Sequence, residues 1–348
     1  MLATSTPTSA ALLALLAQQA DAARSLWPAL HEVGLRWLYW VVLSAALLLI
    51  AARHPRLAPW LARLRNVDSR WLYLGMLVVL IVPLGLKLPV PLAKVSAPTR
   101  GVFDALDNCP PDKVILIDSS WTPGSAPENQ AEFEAVLRHA CRRQIKIVIT
   151  SIAVDAFAPL FAERAAEPIM REFGYVYGRD WVNLGYVPGP PTATRGMYGA
   201  LIERMCNDMH AMFPRDYRGN KLADLPLMAR VRSHADIYSF GCITYQANED
   251  WISVIHGRFG GRFWAGCMSV VGPFFHQYLD SRQMVGALIG NRGAAEYELL
   301  LQQKGLFEGH GRGTRMTIAG SFGNCAVIVA ALLGNLGLLA ARQWRTAA

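Results

Sequence analysis

The chain has 348 residues, enough for one large domain or two small ones with anchors. Its net charge of +8 would suit nucleic-acid binding, but the distribution excludes it: residues 1–100 hold ten Lys/Arg against three Asp/Glu, 342–348 add Arg342 and Arg345, and 101–341 carry 22 basic and 23 acidic residues. Charged residues make up only 17% of the chain, against about 25% in an average soluble domain. The deficit lies in three runs with no charge at all, 37–52, 71–86 and 318–341.

Residues 10–24 are apolar and then polar, and no Lys or Arg precedes Ala10, so they read as an uncleaved amphipathic helix rather than a signal peptide. Two membrane spans follow, at 34–52 and 71–87. Trp37, Tyr39 and Trp40 open the first and Trp71 and Tyr73 the second, the rings expected at headgroup level. Arg36, Arg53 and Lys87 can snorkel from their ends. The loop between them carries Arg53, Arg56, Arg63, Arg65 and Arg70 against Asp68 alone, which assigns it to the cytoplasm. Within it Leu57, Trp60, Leu61 and Leu64 form an apolar stripe suited to the bilayer interface. The chain then begins outside and the following domain lies outside. Lys87, Lys94 and Arg100 oppose this, but are fewer and more widely spread.

Pro89, Pro91 and Pro98 make 87–100 an extended stalk. Residues 96–316 then alternate between two periods. Strands are expected at 113–117, 145–152, 181–186, 237–244 and 262–269, and helices at 156–173, 195–212, 249–256 and 281–303. A further helix opens at Ser125-Ala-Pro-Glu128, which has the form of a capping box, and presents Phe133, Val136, Leu137 and Ala140 on one face. The turn Pro188-Gly189-Pro190-Pro191 and the polar loop 214–233, with Asp216, Arg218 and Asn220, interrupt the series. Alternation of this kind implies parallel strands joined by crossovers: a doubly wound α/β domain with a mostly parallel sheet of about five strands. A third span at 317–348, ending in a short basic tail, closes the chain.

Ligands of such sheets bind beyond the carboxyl ends of the strands. The first strand delivers Asp118, Ser119, Ser120 and Thr122 there. Asp118-x-Ser120-x-Thr122 resembles the metal-adhesion loop of von Willebrand A domains, which implies a divalent cation held by carboxylate and hydroxyl oxygens. The likeness covers five residues and departs from the pattern at the bulky Trp121. The simpler expectation is that these groups satisfy backbone at the turn, with no metal and no cofactor. A second candidate is Gly290-Asn291-Arg292-Gly293, where amides and a guanidinium could meet an anion, or where the glycines serve close packing, the favoured reading. No nucleophile elbow, zinc-helix, P-loop or dinucleotide motif is present, and the eight His are dispersed. A hydrolase or transferase built on Asp118 and Ser120 would need His256 or His276 as its base. The six Cys are scattered singly, as small buried hydrophobes are.

In the third span Asn324, Ala331 and Asn335 share a face, beside a ridge of Ala326, Ala330 and Gly334. Polar and small residues on one side of a span face another helix, of the same chain or of another subunit. The expectation is a membrane-anchored binding or assembly module of the inner membrane, an accessory subunit of a transport or secretion complex rather than an enzyme. Its partners would be the bilayer and other subunits or itself, with no nucleic acid. The orientation predicts that a bacterial alkaline phosphatase fused after residue 150 is active; activity of only a cytoplasmic reporter at that position would reverse it.

Overall fold

The computed structural model describes residues 68–85, 94–152, 156–189, 197–246 and 249–347. The expected helix at 10–24, the first span, the arginine-rich loop up to residue 67 and the stalk at 86–93 lie outside them. The described chain divides into two units, one holding 68–79 and 323–347 and the other 80–322. Helix α1 (Ser69–Gly85) is 17 residues long and apolar, with Trp71, Tyr73, Leu77 and Ile81 exposed.

The larger unit is an all-parallel sheet of six strands: β1 (Val114–Ser120), β2 (Lys146–Ile152), β3 (Trp181–Val187), β4 (Ile237–Thr244), β5 (Phe263–Cys267) and β6 (Gly286–Ile289). Their spatial order is β3-β2-β1-β4-β5-β6, so the winding reverses between β1 and β4. One face is covered by α2 (Ala97–Asp107), α3 (Ala126–Arg142), α4 (Ala158–Glu172) and a helix that follows β6, α9 (Gly290–Gln303). The other is covered by α5 (Met197–Asn207), the short α6 (Met209–Met212), α7 (Glu249–Ile252), which runs on as a π-helical turn to Arg258, and α8 (Gly272–Asp280). Strand residues alternate between these two cores, Ile115 and Ile117 into the first, Val114 and Leu116 into the second. Burial on both faces explains the continuous apolar runs of 114–117 and 147–149.

Several expected elements differ in the structure. The sheet has six strands rather than five. Residues 281–303 are not one helix, because β6 interrupts them; a four-residue Gly-Ala-Leu-Ile strand shows neither period clearly. Residues 97–100 of the expected stalk open a helix that runs to Asp107, since Pro98 sits in the first turn, where its missing N–H costs nothing. The helix expected at 195–212 breaks at Asp208, whose carboxylate caps α6 through the amides of His210 and Ala211. The capping box at α3 does not form. Ser125 Oγ accepts from the Thr122 amide at 3.0 Å, and Glu128 reaches across to Ser269. The polar loop is tied down: Arg218 lies 3.8 Å over the Tyr177 ring and pairs with Glu163, while Asp216 takes the Tyr177 hydroxyl.

Helix α9 holds both ends of the domain. Glu296, 1% exposed, receives the Ser96 amide at 2.9 Å, the Ser96 hydroxyl at 2.5 Å and the Thr99 hydroxyl at 3.1 Å on one oxygen, closing the amino end of α2. Glu298, 2% exposed, receives the amides of Gly313 and Thr314 at 2.9 Å each. Those amides open α10 (Arg312–Ala347), whose segment Arg312–Asn335 is the one described helix long and apolar enough to cross a membrane. Arg312 also pairs with Glu134 on α3 at 3.1 Å. Backbones meet closely as well. A side chain on Gly101 of α2 would collide with the Val285 carbonyl, and one on Gly313 would come within 2.6 Å of Ala294 Cβ.

Replacement Gly101→Val is therefore expected to lower stability by about 1–3 kcal/mol through overpacking. Gly257→Ala, with open space around it, should stay within about 0.5 kcal/mol. Thermal melts of the purified full chain check the pair, and equal melting would contradict the close approach.

Candidate functional site

The reversal between β1 and β4 places their carboxyl ends at the position where doubly wound sheets take ligands. A row of polar side chains crosses the sheet there. In register, Asp118 of β1 lies between Thr150 of β2 and Cys242 of β4, and Ser120 lies beside Thr244. Asp118 and Ser120 share the face of Leu116, two residues apart along one strand.

Asp118 is fully buried. Its Oδ1 accepts from the Ile152 amide at 2.9 Å, and its Oδ2 from the Ser120 hydroxyl at 2.5 Å and the Cys242 thiol at 3.4 Å. Burial pushes its pKa up to about 7; the bonds from Ser120, Ile152 and Cys242 offset part of that rise. Trp251 of α7 lies near enough to favour the charged form, though its Nε1 makes no hydrogen bond. In turn Asp118 and burial hold the Cys242 thiol well above its ordinary range, so it is no ready nucleophile.

On the opposite face a second group of buried oxygens gathers at the ends of β4, β5 and β6. Glu132 is fully buried and receives the Asn129 amide at 3.2 Å, while the same Asn129 nitrogen donates to the Thr244 carbonyl at 3.1 Å. Desolvation raises the Glu132 pKa well above normal, with Glu128 one turn away adding to the rise. Glu128 binds the Ser269 amide and hydroxyl at 2.7 and 2.9 Å. Gly290 passes between these groups with φ +62, and a side chain there would strike Ser269 and Glu128.

The candidate residues thus separate. Asp118 and Ser120 come together; Ser119 faces the other core, its carbonyl accepting from Ser151 at 2.9 Å, and Thr122 lies beyond the strand in the turn to α3. Asn291 and Arg292 begin α9 after β6, three strands from β1, about 14 Å at ordinary strand spacing. Arg292 is engaged with Glu296 at 2.9 Å, and Gly293 packs against the Leu288 backbone, the packing role favoured for this turn. His256 and His276 are exposed and neither meets Asp118. The buried histidine of the domain is His139, bonded to the Tyr297 hydroxyl at 2.7 Å and held neutral by burial, with a pKa lowered to about 4. All six cysteines are free, and five of them are buried. Among the described residues no three His, Cys, Asp or Glu side chains are arranged to hold a metal ion.

The sequence reading missed Cys242, Trp251, Asn129, Glu132, Glu296 and Glu298. The last three carried one signal, a carboxylate inside an apolar helical face, as in Glu132-Phe133 and Ala295-Glu296-Tyr297-Glu298. No protein-family model, curated protein or solved structure matches the chain.

Because the folded state raises the Asp118 pKa from 3.8 to about 7, the neutral form is the stable one, and its contribution is lost as pH climbs from about 4 through 7. Asp118→Asn should flatten that loss, so that its stability relative to wild type rises by about 3 kcal/mol between pH 5 and pH 8. Denaturant unfolding of both proteins at the two pH values measures the change; a difference between them that does not vary with pH would contradict a neutral carboxyl.

Proposed function

We propose that the protein is a multi-pass, membrane-anchored binding or assembly module, an accessory subunit of a membrane complex of transport or secretion type. The reading rests on α10. Of its buried and half-buried positions from 323 on, Gly323, Ala326, Leu333 and Gly337 fall on one side and Leu332 lies off it, while Asn324, Ala331 and Asn335 lie exposed on the other side, at 100° per residue. Asn335 turns its amide back onto the Ala331 carbonyl at 2.8 Å. In lipid such a polar, small-residue face is suited to another helix, whose groups would replace that internal bond. Spans at 34–52 and 71–87, a cytoplasmic arginine-rich loop and an extracytoplasmic α/β domain complete the proposal.

Asp118 favours a second reading, a membrane-tethered hydrolase or transferase, since a carboxyl near neutral pKa at a sheet's switch point suits acid–base work. Against it, Ser120 donates to Asp118 rather than to a base, and both are fully buried.

The double change Asn324→Leu, Asn335→Leu should weaken self-association or subunit co-purification in mild detergent, by about 0.6–2 kcal/mol for each lost interhelical bond. Wild-type behaviour in sedimentation and pull-down would remove the assembly role from this face.

A further inference from the structure

The amino edge of the sheet, opposite the switch point, holds a cavity of about 440 Å³. Cations reach it from the starts of three adjacent strands: Lys113 precedes β1, Lys146 opens β2 and Arg179 comes two residues before β3. Arg230, from the loop leading to β4, adds a fourth. Val114, Pro226, Leu227 and Val231 complete the lining, and of these only Pro226 is exposed.

The nearby carboxylates neutralise only part of this charge. Asp180 is taken by Lys146 at 2.7 Å and Arg179 at 2.8 Å, and Asp112 by Lys146 at 3.3 Å. Asp236 is committed to the amides of Arg232 and Ser233, at 2.9 and 3.0 Å. Lys113 and Arg230 make no side-chain hydrogen bond or ion pair with any described residue, although both line the void. Asp112 supports the rim in a left-handed conformation, φ +62, which a residue with a side chain adopts at some cost. Two uncommitted cations beside the exposed Pro226 ring, in a volume suited to a small ligand, are complementary to an anion.

We propose that this cavity binds a small organic anion, a phosphate or carboxylate joined to an apolar body, with Lys113 and Arg230 taking the anionic group and Pro226 the body. The site stands apart from the assembly face of α10 and from Asp118, so it can fail without affecting either.

Phenyl phosphate is the probe, titrated by ligand-observed NMR into the full chain in nanodiscs of neutral lipid. Saturable binding is expected, weakened at least about tenfold by Lys113→Gln with Arg230→Gln. Inorganic phosphate and benzyl alcohol, each carrying half of the recognition, should bind more weakly. Both changed residues are exposed, so an unaltered melting temperature verifies that the variant is folded. Loss of probe binding in nanodiscs containing phosphatidylglycerol would assign the occupant to a lipid headgroup, and unchanged binding would assign it to a soluble anion. Absence of saturable binding to wild type, or equal binding to the variant, overturns the site.

Discussion

Glu296, Tyr297 and Glu298 follow one another on α9, all buried, and at 100° per residue they point in three directions. Tyr297 enters the core and meets His139. The two carboxylates on either side of it take the free amides of two other helices, α2 where the chain enters the α/β domain and α10 where it leaves it. A helix start exposes unpaired N–H groups and a positive dipole end, so a buried carboxylate is a fitting partner. Removing the acceptor would leave several donors buried and unpaired. Burial raises the Glu298 pKa, and the bonds from Thr314 and Gly313 oppose that rise. The junction is thus part of the fold rather than a tether hung from it.

The sheet follows from the same economy of buried polar groups. An all-parallel sheet covered on both faces leaves no solvent for strand side chains, so each polar one needs a partner inside. Asp118 finds Ser120, Ile152 and Cys242. Glu132 is served by Asn129. Both carboxyls are shifted toward the neutral form. At the switch point Asp118 is engaged through both oxygens, while the Ser119 and Thr150 hydroxyls and one oxygen each of Glu132 and Asn129 have no hydrogen-bond partner among the described residues.

Strand β2 was legible from its β-branched run, and β3 and β4 from short runs of apolar and aromatic residues bounded by turns. Helices α3 and α4 were legible from their apolar faces. Strand β6 and helix α2 were not, because four residues show no period and a proline reads as a break unless its place in the first turn is known. Of the candidate site, Asp118 and Ser120 could be placed from topology. Cys242, Trp251 and Asn129 could not, since they come from β4, α7 and α3 and meet only when the sheet is assembled. Charged residues within apolar helical faces were the unused clue to Glu132, Glu296 and Glu298.

Hydrogen exchange on the full chain, comparing wild type with Glu296→Ala and Glu298→Ala, tests the clamp most directly. The account predicts that Glu296→Ala loosens amides 96–102 and Glu298→Ala loosens amides 312–319, each leaving the other segment and β1 protected. Unchanged protection at both helix starts, or loss spread evenly through the sheet, would contradict the role given to α9.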